Sequence, residues 1–170
     1  MLSFDIRALE ASAAVVDGML AADDEVWQEG DPRPVDGVRV VGRLSAAGPG
    51  RFYFSGEIEG RLAGECRRCL EEATEDVSAE SHLIFTESGV EEEDEADDAY
   101  LIPPGTLELD LRPAVREEWL LSAPFLMLCR QDCKGLCVSC GANLNDGACD
   151  CAPVTDARWD ALRNDRNASK

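Results

Sequence analysis

Runs rich in β-branched and aromatic residues in the first half of the chain predict β-strands. Segments 38–44 and 52–58 have this composition, which favours strands. Segment 46–50 between them contains two glycines and a proline and predicts a loop. Two neighbouring strands joined by this loop are therefore expected.

The next part of the chain predicts a hairpin with two cysteines at its turn. A short run at 61–65 leads into Cys66 and Cys69, and segment 73–85 alternates in part between apolar and polar side chains. Alternation is typical of a half-buried strand, so 73–85 is expected to run back along the preceding one.

An acidic segment, 87–100, is expected to be a mobile loop. It has few large apolar side chains, so it cannot bury enough apolar surface to fix its own conformation. A short strand is predicted after it, at 106–109.

A helix is predicted over 110–122. Asp110 is a suitable N-cap, and Pro113 is tolerated in a first helical turn. Three apolar residues recur at the spacing of one helix face: Leu111, Val115 and Trp119. The helix must end before Pro124, because a proline disfavours helical conformation in the residue preceding it.

The strongly acidic composition bears on possible partners. The chain has 35 acidic and 16 basic residues and a net charge of −19. Eight acids lie in one window: Glu87, Glu91, Glu92, Glu93, Asp94, Glu95, Asp97 and Asp98. Removing these eight from −19 still leaves −11. Phosphate backbones are bound by Lys and Arg, so direct RNA contact is disfavoured and a basic protein is the better electrostatic match.

The expected compartment bears on the eight cysteines. The N-terminus has no basic stretch followed by an apolar run, so no signal peptide is expected. No apolar stretch approaches the roughly 20 residues of a membrane span. A cytoplasmic protein without membrane contact is expected, and its thiols stay reduced. Metal binding, redox chemistry or simple burial then explains the cysteines better than disulfides do.

Six cysteines near the C-terminus predict a metal-binding module: Cys129, Cys133, Cys137, Cys140, Cys149 and Cys151. Two thiolates separated by two residues, such as Cys137 and Cys140, can bind one tetrahedral metal ion, and Gly141 permits the tight turn after them. This arrangement is typical of the knuckles of zinc ribbons.

The earlier pair, Cys66 and Cys69, makes two four-sulfur sites possible. All-thiolate sites select zinc or iron–sulfur clusters, and zinc is the usual ion of a closed structural site. One or two Zn²⁺ ions are therefore expected. One allocation forms two sites, the first from Cys66, Cys69, Cys129 and Cys133 and the second from Cys137, Cys140, Cys149 and Cys151. The alternative is one site drawn from the last six cysteines, with Cys66 and Cys69 left as a reduced pair.

Cys66 and Cys69 also admit a redox interpretation. Arg67 and Arg68 lie between them, and adjacent guanidiniums lower the pKa of a thiol. The usual setting of such a pair, at the start of a helix beside a βαβ unit, is absent. The arginines can equally offset the charge of a zinc–thiolate cluster.

The chain lacks the usual signs of catalysis. His82 is the only histidine, whereas catalytic zinc sites commonly use histidine and leave a coordination position open. His82 is expected to be a structural or exposed residue. No nucleophile elbow, phosphate-binding loop or dinucleotide motif is present, so neither an enzyme nor a small-molecule substrate is expected.

These elements predict an α+β fold, with a mainly antiparallel sheet or open barrel, one packed helix and a C-terminal zinc-knuckle module. The expected parts are a mainly β core at 1–128, a cysteine-rich zinc-binding module at 129–152, and a short helix and tail at 153–170. Trp159 and Leu162 are expected to dock this last helix.

Several motifs together carry a family resemblance. They are Cys66-x-Arg68-Cys69-Leu70-Glu71, Leu109-Asp110-Leu111 with the following helix and Pro124, the run from Cys129 through Gly135-Leu136-Cys137-x2-Cys140-Gly141-x-Asn143-Leu144-Asn145 to Cys149-x-Cys151, and the tail Asp156-x-Arg158-Trp159-x2-Leu162. In these residues the chain resembles the YceD family, the large ribosomal RNA subunit accumulation proteins.

The resemblance implies a non-enzymatic role in the synthesis, processing or stability of large-subunit ribosomal RNA in bacteria and plastids. Some members keep the first cysteine pair and a counterpart of the Cys129 and Cys133 region but lack the later cysteines, which favours the two-site allocation. With the acidic charge, the expected partner is a basic ribosomal protein or a ribosome assembly intermediate.

Two other functions remain as alternatives. One is a zinc-thiolate redox or stress regulator that acts through protein–protein contacts. The other is direct RNA binding, which requires five basic residues to lie on one face: Arg61, Arg67, Arg68, Arg130 and Lys134.

Overall fold

The computed structural model describes residues 1–88, 99–152 and 158. In chain order its elements are β1 (Ser3–Asp5), α1 (Ile6–Ala11), β2 (Ala14–Leu20), β3 (Pro34–Gly48), β4 (Arg51–Glu65), β5 (Glu72–Glu87), β6 (Ala99–Ile102), β7 (Glu108–Asp110) and α2 (Arg112–Ser122). Five strands form the main sheet in the order β2-β3-β4-β5-β6, and β1 pairs with β7. Within the described residues β2 and β6 do not pair, so the sheet is open.

Three long antiparallel strands, β3, β4 and β5, dominate the sheet. Strands β4 and β5 pair from Arg51↔Thr86 to Glu65↔Glu72 without a register shift. Because side chains alternate between the two faces of a sheet, one face carries buried residues that include Val38, Val40, Leu44, Phe52, Phe54, Ile58 and Leu62. The cysteines that follow β4 are thereby held at one end of a continuous hairpin.

Two opposed glycines in the sheet make room for an aromatic ring. Gly42 pairs with Gly56, and a Cβ added at these positions would lie 2.8 Å and 2.7 Å from ring carbons of Phe54. Glycine is therefore required here by close packing against the buried ring.

Helix α2 lies on the inner face of the sheet. The three residues of its predicted apolar face, Leu111, Val115 and Trp119, are fully buried. A Cβ added at Gly60 of β4 would lie 2.7 Å from the Trp119 ring, and the Trp119 Nε1–H donates to the Pro32 carbonyl at 2.6 Å. The helix ends at Ser122, before Pro124, as predicted.

The predicted hairpin is confirmed, but its strands are longer than expected. Segment 61–65 continues β4, so it is not a separate run. The loop predicted at 46–50 shrinks to two residues, because β3 extends to Gly48 and β4 begins at Arg51. Glycine and proline indicate that a strand can end nearby. The residue at which it ends is determined by pairing with the neighbouring strand.

The mobile loop predicted at 87–100 is wrong at both of its ends. Glu87 ends β5, and Ala99–Ile102 forms β6, which pairs in parallel with β5. Tyr100 stacks on Phe85 with ring centroids 5.3 Å apart, a contact that stabilises the pairing of β6 with β5. The remainder, 89–98, lies outside the described residues.

Other differences concern element ends and number. The main sheet is mixed, because its last pair of strands is parallel, and the described residues contain one helix, α1, that was not predicted. Helix α2 begins at Arg112, after Asp110, although the Asp110 Oδ1 still accepts the Arg112 N–H at 3.0 Å. The helix predicted within 153–170 lies outside the described residues, apart from Arg158. None of the described helices is long and apolar enough to cross a membrane.

Candidate metal centres

The turn between β4 and β5 forms a first knuckle, residues 66–71. The Cys66 N–H donates to the Glu71 carbonyl at 2.8 Å, and the Leu70 N–H donates to the Cys66 carbonyl at 2.8 Å. Leu70 adopts φ 63°, the left-handed conformation that glycine normally occupies. These bonds hold Cys66 and Cys69 at the end of the sheet.

A second knuckle, residues 137–142, repeats this pattern. The Cys137 N–H donates to the Ala142 carbonyl, and the Gly141 N–H donates to the Cys137 carbonyl, both at 2.8 Å. Gly141 has φ 74°, in the place that Leu70 takes in the first knuckle. The two Cys-x2-Cys pairs are thus built by the same backbone hydrogen bonds.

The segment after α2 returns to the first knuckle. The Arg67 N–H donates to the Met127 carbonyl at 3.0 Å, and Met127 is buried beside Gly64. This contact leads the chain into Cys129 next to Cys69. The two sulfur atoms lie 3.5 Å apart.

Four sulfur atoms form a first cluster: Cys66, Cys69, Cys129 and Cys133. All lie within 4.8 Å of one another, and the Cys66 and Cys133 sulfurs are 3.8 Å apart. Three of the four residues are buried. The cluster joins the sheet to the C-terminal region.

The other four cysteines form a second cluster: Cys137, Cys140, Cys149 and Cys151. Their sulfur atoms also lie within 4.8 Å of one another. None of them is buried, and Cys140 and Cys151 are exposed. The sulfurs are therefore grouped as in the two-site allocation, and Cys66 and Cys69 do not stand apart as a pair.

Both clusters have the dimensions of a tetrahedral thiolate site. With metal–sulfur bonds of about 2.3 Å, the sulfurs of a tetrahedral zinc site lie roughly 3.8 Å apart. The separations of 3.5 Å and 3.8 Å in the first cluster agree with this spacing. They far exceed the ~2 Å of a disulfide bond, and all eight cysteines are free.

The thiols differ in acidity within each cluster. The Cys129 backbone N–H lowers the pKa of Cys66 to about 6, and the Cys140 backbone N–H lowers the pKa of Cys137 to about 6. Conversely, burial raises the pKa of Cys129 to about 12, and a hydrogen bond with Cys140 raises the pKa of Cys151 to about 12. Because neighbouring thiolates repel one another, four of them ionise together only around a cation.

Basic residues surround the first cluster. Arg68 Nη1 donates to the Cys133 carbonyl at 2.8 Å, and the Arg68 carbonyl accepts the Leu136 N–H at 3.0 Å. Arg67, Arg130 and Lys134 lie on the same segments and are exposed. Arg61, farther back on β4, pairs with Asp36 at 2.6 Å.

His82 lies away from both clusters, on β5. Its Nδ1 shares a hydrogen bond of 2.7 Å with the Tyr53 hydroxyl, and its Nε2 lies 3.4 Å from a Glu80 carboxylate oxygen. Neither of the four-sulfur clusters includes it.

The sequence did not reveal the polar residues that support the clusters. Asn145 donates from Nδ2 to the Cys133 sulfur at 3.4 Å, and Asn143 donates from Nδ2 to Glu71 at 2.8 Å. The available signal was the pair of asparagines directly after the second knuckle. The partner of Asn143 lies 72 positions away and that of Asn145 lies 12 positions away, and neither could be inferred from the sequence.

A protein-family model matches residues 54–164, and its description is "Large ribosomal RNA subunit accumulation protein YceD". This match covers the first knuckle, α2 and all eight cysteines.

Curated relatives extend the likeness. A chloroplastic large ribosomal RNA subunit accumulation protein, YCED homolog 1 of Arabidopsis thaliana, is 30% identical over 88% of this chain and 52% of its own length. The Zea mays protein of the same name is 29% identical over 61% of this chain and 45% of its own. An uncharacterised Mycobacterium tuberculosis protein is 30% identical over 64% of this chain and 52% of its own. The chain thus spans about half the length of these relatives, and no solved structure matches it.

Proposed function

Because the chain belongs to the YceD family of large ribosomal RNA subunit accumulation proteins, we propose that it is a non-enzymatic zinc-binding factor in ribosome biogenesis. It supports the synthesis, processing or stability of large-subunit ribosomal RNA. The observation that carries the zinc assignment is the pair of four-sulfur clusters.

Zinc suits both clusters better than an iron–sulfur centre does. In a four-iron cluster each cysteine binds a separate iron atom, which holds the ligand sulfurs farther apart than one shared ion does. Sulfurs within 4.8 Å of one another instead fit a single tetrahedral ion. All-cysteine sites of this kind have no coordination position left for a substrate, so zinc here stabilises the fold.

The acidic surface favours a basic ribosomal protein, or an assembly intermediate that exposes one, as the direct partner. Beyond the net charge of −19, the structure has an open cleft of about 620 Å³ with carboxylates on its wall. Glu117 and Glu118 of α2 line it together with Tyr100. Burial and the neighbouring Glu117 raise the pKa of the Tyr100 hydroxyl, which therefore stays neutral. The cleft offers negative charge to a lysine or arginine side chain.

The test is the level of ribosomal RNA in cells whose only copy of the protein is altered. Replacing Cys66 and Cys69 together by serine is expected to lower large-subunit RNA relative to small-subunit RNA. Thr74→Ala, an exposed change on β5, is the matched control. The double variant Cys137→Ser with Cys140→Ser tests the second cluster in the same way. Normal RNA ratios with both double variants present at wild-type levels would contradict the proposal.

The exposure of the second cluster favours one alternative, a zinc-thiolate redox or stress regulator that acts through protein–protein contacts. Exposed thiolates are accessible to oxidants. A regulator is expected to release zinc under mild peroxide and to rebind it after reduction, whereas a structural site resists. Zinc release from the purified protein, followed with a chromogenic chelator, separates the two functions.

A further inference from the structure

The loop that joins the halves of the second cluster lies against the first cluster. Asn145 is in this loop, residues 141–148, and its side chain makes two contacts. Its Nδ2 donates to the Cys133 sulfur at 3.4 Å, and its Oδ1 accepts the Lys134 N–H at 2.8 Å. One amide group thus contacts a sulfur atom of the first cluster and the backbone next to it.

Asn143 strengthens the same connection. Its Nδ2 donates to Glu71 Oε1 at 2.8 Å, and the Glu71 carbonyl closes the first knuckle by accepting the Cys66 N–H. The Asn143 Oδ1 accepts the Asn145 N–H at 3.0 Å. Asn143 therefore sets the position of Asn145 while it is itself bonded to the first knuckle.

Backbone bonds complete the contact. The Leu144 N–H donates to the Gly135 carbonyl at 2.9 Å, and Leu136 pairs with Asn143 in an isolated antiparallel bridge. These bonds keep the loop beside Cys133.

The loop has no hydrophobic core of its own. None of the described residues from 137 to 152 is buried. Without burial, the conformation of such a segment depends on its cross-links. For this loop the cross-link is the second cluster, which holds it at Cys140 on one side and Cys149 on the other.

We propose that the second cluster controls how firmly the first one holds its metal, with Asn145 as the positioning residue between them. A metal ion in the second cluster fixes the loop, and the fixed loop places the Asn145 amide on the Cys133 sulfur. An N–H···S bond stabilises the ionised ligand, and loss of such supporting contacts typically costs 10- to 100-fold in metal affinity. The inference rests on the proposed function in one respect, namely that both clusters bind zinc.

The experiment uses the full chain loaded with zinc and compares the rates at which zinc passes to a chromogenic chelator. The double variant Cys140→Ser with Cys151→Ser, which disables the second cluster, identifies the phase that belongs to the first. In this variant and in Asn145→Asp, release from the first cluster is expected to be at least about tenfold faster than in the wild type. Asn145→Asp keeps the shape of the side chain but removes the N–H donor. Asp146→Asn, an exposed change in the same loop, is the matched control and should leave the rate unchanged.

Cadmium-113 NMR supplies a second measurement, which a merely structural role for Asn145 would not affect. With cadmium in both clusters, Asn145→Asp is expected to shift the resonance of the first cluster and to leave that of the second in place. The change is expected because the cadmium shift responds to hydrogen bonds on the sulfur ligands.

The outcomes separate this inference from the function proposed above. Binding of two zinc ions with an unchanged first-cluster release rate in Asn145→Asp overturns the coupling and leaves the zinc-binding function intact. Binding of a single ion by the wild-type chain overturns the coupling alone, and binding of none overturns both. If the double variant fails to fold, Asn145→Asp and the cadmium shift still decide.

Discussion

At the scale of single residues, the two knuckles pose a natural comparison between Leu70 and Gly141. Both residues have a positive φ and donate the equivalent hydrogen bond within their knuckle. Only glycine adopts this backbone conformation without strain. Leu70 is 61% exposed, so burial of its side chain does not offset the strain of its backbone. Leucine at this position is therefore expected to lower the stability of the protein.

Leu70→Gly is accordingly expected to stabilise the protein. The left-handed conformation costs a non-glycine residue roughly 1–2 kcal/mol, and the added freedom of glycine in the unfolded chain offsets about 0.5–1 kcal/mol. The net gain is expected to be ~1 kcal/mol or less, measured by denaturant unfolding of the zinc-loaded protein. Gly141→Ala is the reciprocal change and should destabilise, since no atom lies within 4 Å of the added Cβ and only strain is introduced. Equal stabilities for all three proteins would contradict the strain argument.

A second prediction at this scale concerns Asp31 and Arg116. The Arg116 guanidinium donates to both Asp31 carboxylate oxygens at 2.7 Å and 2.9 Å, and this bonding holds the pKa of Asp31 below its ordinary value of 3.8. The folded state therefore favours the ionised carboxylate. Its stabilising effect is present above the unfolded pKa and is lost as the pH falls through the lower, folded value.

Asp31→Asn is expected to lower the melting temperature at neutral pH, and the difference from wild type should shrink in strongly acidic solution. Glu29→Gln, a nearby exposed change, is the control for loss of one charge. A difference that stayed constant from neutral pH to well below 3.8 would show that the ion pair does not contribute as described.

At the scale of elements, the contact between β4 and α2 depends on a missing side chain. Gly60→Ala would place a Cβ 2.7 Å from the Trp119 ring and 3.1 Å from the Gly37 carbonyl. Overpacking of this kind costs typically 1–3 kcal/mol, so a loss of that order in the free energy of unfolding is expected. Gly147→Ala, where no atom lies within 4 Å of the new Cβ, is the matched substitution and should be nearly neutral.

Without metal, the C-terminal region is expected to unfold, whereas the sheet is expected to stay folded. Complete chelation should remove amide protection from 125–152, while β3, β4 and β5 stay protected by their own ladders and core. Cys140→Ser alone should act first on 137–152, the part without buried residues. Hydrogen exchange with mass spectrometry measures this directly. Retained protection after 124 in the metal-free protein would contradict it.

At the scale of the whole molecule, the proposed association with a basic protein is expected to depend on charge. With a net charge of −19, binding to basic large-subunit ribosomal proteins is expected to weaken steeply as salt rises. Replacing Glu117 and Glu118 by glutamine should weaken it further. The same charge change at Glu10 and Glu29, on other parts of the surface, is the matched control. Binding that is insensitive to salt and to all four residues would exclude the acidic surface as the docking surface.

Local patterns in the sequence predicted much of this architecture. Alternation and composition indicated the long hairpin, the spacing of Leu111, Val115 and Trp119 indicated α2, and the two Cys-x2-Cys pairs indicated the knuckles. Each of these features is determined by residues close together in the chain.

The features that could not be predicted depend on contacts between distant residues. The parallel pairing of β6 relies on Tyr100 meeting Phe85, and β1 exists because it pairs with β7. The Asn145–Cys133 bond joins the loop after the second knuckle to a sulfur of the first cluster. The positive φ of Leu70 was missed because leucine gives no local signal for it.

The first cluster also brings together parts of the chain that are far apart in sequence. Cys69 and Cys129 are 60 positions apart, so a metal ion at this point would close a loop that contains β5, β6, β7 and α2. In the chain-entropy model a cross-link over about 60 residues stabilises the folded state by roughly 4 kcal/mol, by restricting the unfolded chain. Such an ion would do the work of a disulfide with reduced thiols. It would also order the folding steps, because the β4–β5 turn can present two ligands early, whereas the loop closes only after α2 has docked.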